Sequence, residues 1–272
     1  MSIEEPDNSK FEATVDDRGQ GEYSRAAMEL TPDVVEQSFW VRSRNRVFSE
    51  LIVSYCQQSN ISSFFELGCA TGDFLSYLNS HARWLDLSGS DNMPEAVSAA
   101  KAALPGIPVF RLDAKKLSRD NELEAIGAFD LLEHINEDEL VMSQAYQALK
   151  SGGLFFISVP QHKFMWSQLD QKIQHKRRYS RPELLQKLEV AGFHIEYVTS
   201  LVSLLFPAMV LQRYIVDKVV VKETDEDISP YVSFNPLLNW IFDKLMRGDE
   251  FFIRRRISLP FGGTLVAVAR KP

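Results

Sequence analysis

From Ser62 to Ser200 the chain alternates short apolar runs with helical patterns, which restricts it to an open, mostly parallel sheet with helices on both faces. Strands are expected at Ser62–Leu67, Trp84–Gly89, Pro108–Leu112, Glu124–Phe129, Leu154–Val159 and Phe193–Ser200, and a last one at Thr264–Arg270. Helices are expected between them. One covers Gly72–Ser80, and an alanine-rich one is capped by Asn92 with Pro94 and Glu95 in its first turn. Another covers Asn136–Lys150 and stops at Gly152 and Gly153, as a glycine C-cap would. A Ser180–Glu183 capping box opens a helix that ends before Gly192.

The rest of the chain divides around this core, which takes residues 61–200 and 261–272. Residues 1–25 are charged and lack apolar periodicity, so they read as a mobile tail. Residues 26–60 read as an N-terminal helical segment that starts after Thr31, with Pro32 at the first helical position. Residues 201–260 are too long for a strand connection and read as a helical cap insertion over the ligand crevice. The cap holds an apolar run, Leu201–Val220, in which Pro207 is a candidate kink, the charged segment Lys222–Ser229, and a helix from Pro236 to Met246.

Charge and composition narrow the partners. The formal net charge of -7 gives no global attraction to nucleic acid. Gln212, Arg213, Asp217 and Lys218 interrupt the apolar run before it could span a bilayer, so stable membrane insertion is not expected; a packed or lid helix is the favoured reading and an interfacial membrane helix the alternative. Two cysteines, Cys56 and Cys69, without paired or metal-type spacing, and an acidic, polar start suit a reducing cytoplasm. Nothing in the sequence fixes the oligomeric state.

The chemistry is concentrated in FFELGCATGDF, Phe64–Phe74. A buried strand ends in an acid, Glu66, and a turn with Gly68, Cys69, Ala70 and Gly72 leads into a helix. In open α/β sheets the ligand crevice lies at the carboxyl ends of the strands, so this turn faces it. Asp91 follows the second strand, where an acid can bind a ribose diol. Asp113 follows the third, where a carboxylate can accept from an adenine amino group. Acids at successive strand ends suit a nucleoside with a cationic group better than a pyrophosphate, which Glu66 would repel. A nicotinamide-dependent oxidoreductase would need a G-x-G-x-x-G turn, and Gly68, Ala70 and Gly72 do not supply it.

With Gly89–Asp91 and Leu112–Ala114, the ELGCATG segment resembles the class I S-adenosylmethionine-dependent methyltransferase superfamily. GAFDLLEHI, LKSGG, SVPQH, HKRRYS and SFWVRSRNR extend the resemblance, in patches from about residue 38 onward, to a bacterial small-molecule branch. The resemblance implies a Rossmann-like seven-stranded sheet whose last strand is antiparallel. It also implies S-adenosylmethionine as cofactor, with S-adenosylhomocysteine as product. Glu66, Gly68 and Gly72 would line its methionine part, with Cys69 and Ala70 in the same turn. Asp91 and Asn92 would lie at the ribose, Asp113 and Ala114 at the adenine, and Asp130 would lie nearby. Ala70 departs from the glycine common in the superfamily.

Other residues are candidates for the acceptor side. His134, after Asp130 and Glu133, is the candidate general base, the alternative being a local helix N-terminal cluster. His162, Trp166, His175, Arg178 and Tyr179 are candidate acceptor-binding residues, Arg178 suiting an anionic group. No pair among His134, His162 and His175 has helix-type ligand spacing, so no metal is expected. On the leading helix, Phe39 and Trp40 could cover the cofactor, core packing being the favoured role, with Arg42 or Arg46 able to reach an acceptor. The expected reaction is in-line methyl transfer to a small molecule, with a sugar-derived or secondary-metabolite oxygen favoured. A protein or RNA methyltransferase and a non-catalytic cofactor-binding module are the alternatives.

Overall fold

The computed structural model describes residues 38–215 and 234–272. The proposed tail, the expected helix start at Pro32 and the charged segment Lys222–Ser229 lie outside the described residues. The described chain begins in helix α1 (Phe39–Gln58), followed by β1 (Ser63–Leu67), α2 (Asp73–His81), β2 (Asp86–Asp91), α3 (Pro94–Ala103) and β3 (Val109–Arg111). Next come β4 (Leu123–Phe129), α4 (Asp138–Ala148), β5 (Leu149–Pro160), the short α5 (Gln168–Lys172), α6 (Arg181–Val190) and β6 (His194–Leu201). Helices α7 (Phe206–Ile215) and α8 (Pro236–Arg254) precede β7 (Thr264–Arg270).

The sheet has seven strands in the order β3-β2-β1-β4-β5-β7-β6. β7 runs antiparallel to both of its neighbours, and the other pairings are parallel. This is the Rossmann-like sheet with an antiparallel last strand expected from the sequence. From β1 the chain first builds outward through β2 and β3, then returns to place β4 on the other side of β1. The carboxyl ends of β1 and β4 therefore flank the topological switch point, where such sheets open a crevice. Apolar side chains cover both sheet faces. Phe48, Phe74 and Phe156 belong to the core on one face, and Phe155, Met142 and Leu184 to the core on the other. Phe48 from α1 stacks on Phe129 from β4, with ring centroids 4.5 Å apart, and locks the leading helix to the sheet.

Several local expectations are corrected. Asn92 does not cap α3: Met93 holds the N-cap position, and its N–H goes to Asp91 Oδ1 at 2.9 Å. The Gly152–Gly153 pair is not a helix C-cap. The chain enters β5 directly at Leu149, and the glycines lie in an irregularity where pairing skips from Leu123–Leu149 to Ala125–Leu154. Ser180 does cap α6 by accepting from Glu183 N–H, but the Glu183 carboxylate pairs with Lys163, so the box is half formed. A complete box occurs instead at Ser167–Asp170. Pro207 sits in the first turn of α7, where no intrahelical donor is lost, and α8 runs eight residues beyond the expected Met246.

Candidate functional site

The turn after β1 is built by backbone needs. Gly68 and Gly72 hold φ of 79° and 86°, the left-handed region that favours glycine. A Cβ on Gly68 would come within 2.8 Å of the Leu131 side chain. Ala70 takes the same region at φ 46° without being glycine. Its strain is offset by the bond from its N–H to Asp91 Oδ2 at 3.0 Å. The N–H groups of Gly68 and Cys69 both donate to Ser90 O at 2.8 Å. The end of β2 thus shapes the turn after β1, and Asp91 accepts from the backbone with each of its oxygens. Those oxygens keep further lone pairs for a ligand.

Glu66 is 3% exposed, and its Oε2 has no hydrogen-bond partner. Burial pushes its carboxyl up to about 8, with Asp91 and Asp73 adding to the rise and Arg44 opposing it. An orphaned buried carboxyl at the mouth of a glycine turn is one that a cationic ligand can partner. Asp113 Oδ1 accepts from Lys115 N–H at 3.0 Å and caps a short 3-10 turn, while the residue also lines the cavity. Asp130, in the left-handed region at φ 52°, accepts from Ser158 Oγ at 2.9 Å and from Arg44 Nε at 3.0 Å. The cation reaching the site from α1 is therefore Arg44, and the expectation for Arg42 or Arg46 is corrected. Arg42 lies 3.5 Å from Asp243, and Arg46 bonds Asp243 at 2.9 Å and Glu250 at 2.6 Å. Two residues of helix register turn Arg44 to the opposite side from those two.

These groups open into one cavity of about 1020 Å³. Glu66, Gly68, Cys69, Ala70, Asp91 and Asn92 line one side of it, with Asp113, Ala114 and Asp130 beside them. Glu133, His134, His175 and Arg178 form the far wall, and Leu205 and Met209 come in from the β6–α7 region.

The far wall is organised by a residue the sequence did not single out. Asp170 is fully buried and accepts from His175 Nδ1 at 2.9 Å, Arg178 Nε at 2.8 Å and Arg213 Nη1 at 3.1 Å. These partners hold its carboxyl well below the usual carboxylate range, despite burial. With Nδ1–H donating to Asp170, His175 keeps the tautomer in which Nε2 carries a lone pair. That Nε2 lies 3.8 Å from Glu133 Oε1. Burial raises the Glu133 carboxyl well above its ordinary value, and Asp130 adds to it. The same burial lowers the His134 imidazole to about 3, helped by His175, so it is neutral and weakly basic near pH 7. Donor atoms of Glu133, His134 and His175 all lie within 4.8 Å of one another. This is a set that could hold a divalent ion, with Asp170 orienting the His175 ligand. Sequence spacing cannot reveal a cluster of this kind, because it joins the end of β4 to the segment after α5.

Four expected site residues lie off the cavity lining. Gly72 faces Leu104 and Ala100 and serves the turn. His162 packs against Phe164 and Phe206, and Trp166 is exposed. Tyr179 is corrected from acceptor contact to structural clamp. It is wholly buried, and its hydroxyl donates to Asp138 Oδ2 at 2.7 Å. Lys187 and Arg177 bind the same carboxylate.

Comparison with known proteins gives a consistent picture. A family model described as a methyltransferase domain matches residues 39–198. A probable S-adenosylmethionine-dependent methyltransferase of Mycolicibacterium smegmatis is 24% identical over 168 residues, which is 61% of this chain and 63% of the relative's length. Among solved structures, a Galdieria sulphuraria protein provisionally named a sarcosine dimethylglycine methyltransferase matches with a TM-score of 0.54 at 15% identity. That match covers 82% of this chain and 85% of the other. Phosphoethanolamine N-methyltransferase 2 of Haemonchus contortus, in complex with S-adenosylmethionine, matches with a TM-score of 0.51 at 15% identity, over 78% of this chain and 49% of the other. At such identities the structures share the fold.

Proposed function

The chain belongs to the methyltransferase domain family, and from that premise we propose that it methylates a small molecule inside the cavity, at an oxygen atom. S-adenosylmethionine is the cofactor, and it supplies an electrophilic methyl group on a sulfonium whose leaving group is a neutral thioether. Glu66 and the Gly68–Ala70 backbone would hold its charged methionine part, Asp91 its ribose, and Asp113 with Ala114 its adenine. The observation that carries the reading is the shape of the site. The strand-end acids open into a cavity of about 1020 Å³, at the upper end of the usual range for small-molecule sites of ~300–1000 Å³ and large enough for donor and acceptor together.

On the acceptor side, His175 is the proposed proton acceptor, because Asp170 holds its Nδ1 and the ring lines the cavity. Arg178 and Arg213, fixed on the same carboxylate, set the polarity of the far wall. A cavity of this volume suits a small acceptor held beside the donor better than a nucleic acid or folded protein. Titration calorimetry tests the cofactor half: S-adenosylhomocysteine should bind and NAD should not. A panel of hydroxylated small molecules, read by S-adenosylhomocysteine release, tests the acceptor half. Turnover restricted to amine acceptors, or to a protein or RNA, would overturn the oxygen and small-molecule assignments.

A further inference from the structure

Helix α8 presents two chemically opposite sides. Its buried stripe carries the acids: Asp243, Asp249 and Glu250 all point inward, beside Met246 and Ile253. Its outer side carries none. Leu237 (64% exposed), Trp240 (57%) and Phe251 (49%) are exposed there, and Lys244 and Arg255 lie on the same side, with Arg247, which also pairs with Glu250 at 3.3 Å. Lys244 lies 5.7 Å from the Trp240 ring, and the Arg255 guanidinium 3.5 Å from that of Phe251. The apolar surface continues onto α7 through Leu204, which lies against Gly248 and is 52% exposed. On α7 itself, Leu211 and Tyr214 are exposed. Clustered exposed apolar side chains of this size mark an interaction surface.

We propose that this face of α7 and α8 docks on an anionic lipid surface, with the apolar side chains in the interface and the cations among the headgroups. The charge pattern selects this occupant. The chain carries a net charge of -7, yet the outer side of α8 is apolar and cationic only. A second copy using the same patch would oppose cations to cations, which disfavours a symmetric dimer. An apolar strip between basic residues is the pattern of a helix lying in a membrane interface. The binding is peripheral, since no described helix is long and apolar enough to cross a membrane. The same two helices also supply cavity lining: Ala208, Met209 and Gln212 from α7, and Leu238 and Phe242 from α8. Docking would thus bring the lipid surface beside the walls of the cavity.

Vesicle co-sedimentation of the full chain tests the proposal, using phosphatidylcholine alone and phosphatidylcholine with phosphatidylglycerol. The wild type should bind the anionic vesicles, more weakly as salt rises, and bind the neutral ones poorly. Trp240→Ser with Phe251→Ser, and separately Lys244→Glu with Arg255→Glu, should each lower the partition coefficient by about tenfold or more. These side chains lie outside the core and the cavity, so the melting temperature and S-adenosylhomocysteine affinity should stay unchanged and exclude unfolding as the cause. Failure of the wild type to bind anionic vesicles would overturn the proposal, as would binding that both double variants retain. So would a concentration-dependent dimer, measured by sedimentation, that the same variants dissolve. None of these readouts depends on methyl transfer.

Discussion

At the scale of single residues, Asp91 and Glu66 make the sharpest predictions. Asp91 serves a ligand site and also ties the turn, accepting from Ala70 and Met93 N–H groups. Asp91→Ala should weaken S-adenosylhomocysteine binding by about 1.5–3 kcal/mol, the value of a lost charged hydrogen bond. It should also lower the melting temperature, because two half-buried N–H groups lose their acceptor. Normal affinity in calorimetry would show that Asp91 is not a cofactor ligand. Glu66 behaves differently. Its folded value of about 8 is raised from 4.5, so the stability it contributes is greatest below about pH 4.5 and is lost as pH rises through about 8. Glu66→Gln should therefore be at least as stable as the wild type at pH 8, yet bind S-adenosylmethionine more weakly. A cationic ligand draws Glu66 into its ionised form. At pH 7, binding should release up to one proton, and affinity should fall as the pH drops below about 8. Calorimetry in buffers of differing ionisation enthalpy measures that proton, and an identical pH profile for Glu66→Gln would sink the assignment.

At the scale of elements, the contact between α1 and α8 decides how the insertion sits on the core. Arg46 reaches from α1 to the buried carboxylates of Asp243 and Glu250 on α8, and Ser43 Oγ donates to Glu250 Oε1 at 3.0 Å. Removing the cation leaves two buried acids without it. Arg46→Ala should cost roughly 3–5 kcal/mol, read as a lower melting temperature and faster proteolysis within α8. The sign with pH follows from Asp243, whose carboxyl Arg46 holds below its ordinary value despite burial. Its contribution is present above the unfolded value, about 3.9, and is lost as the pH falls through the depressed folded one. The gap between wild type and Arg46→Ala should thus narrow below about pH 4. A gap that widens in acid would contradict the ion-pair account.

At the scale of the whole molecule, the cavity is a joint product of parts far apart in the chain. The strand ends supply one wall, the segment from Leu169 to Arg178 another, and α1, the β6–α7 region and α8 complete it. Leu205, buried in the core and lining the cavity, stands where insertion and core meet. Leu205→Ala should change acceptor turnover more than S-adenosylhomocysteine affinity, which is set by the opposite wall. The neighbouring Phe206 lies off the cavity among His162, Phe164 and Phe261, so Phe206→Ala should leave acceptor kinetics nearly unchanged. Equal effects of the two variants on KM for the acceptor would argue against this division.

The sequence by itself determined the sheet, its helices, and the strand-end acids Glu66, Asp91 and Asp113. Those features rest on local rules: apolar periodicity, turn chemistry, and the fixed position of strand ends in a parallel sheet. The tertiary structure alone decided which of the leading helix's arginines faces the cavity, because Arg44 and Asp130 meet across 86 positions of chain. It decided that Tyr179 is a clamp and that Asp170 is the buried hub of the far wall. It also decided that the outer side of α8 faces solvent, while Asp243 and Glu250 face Arg46 and Asp249 caps the backbone at Ser203 and Leu204. Burial and long-range ion pairing depend on what the rest of the chain brings near a residue, and sequence spacing carries no record of that.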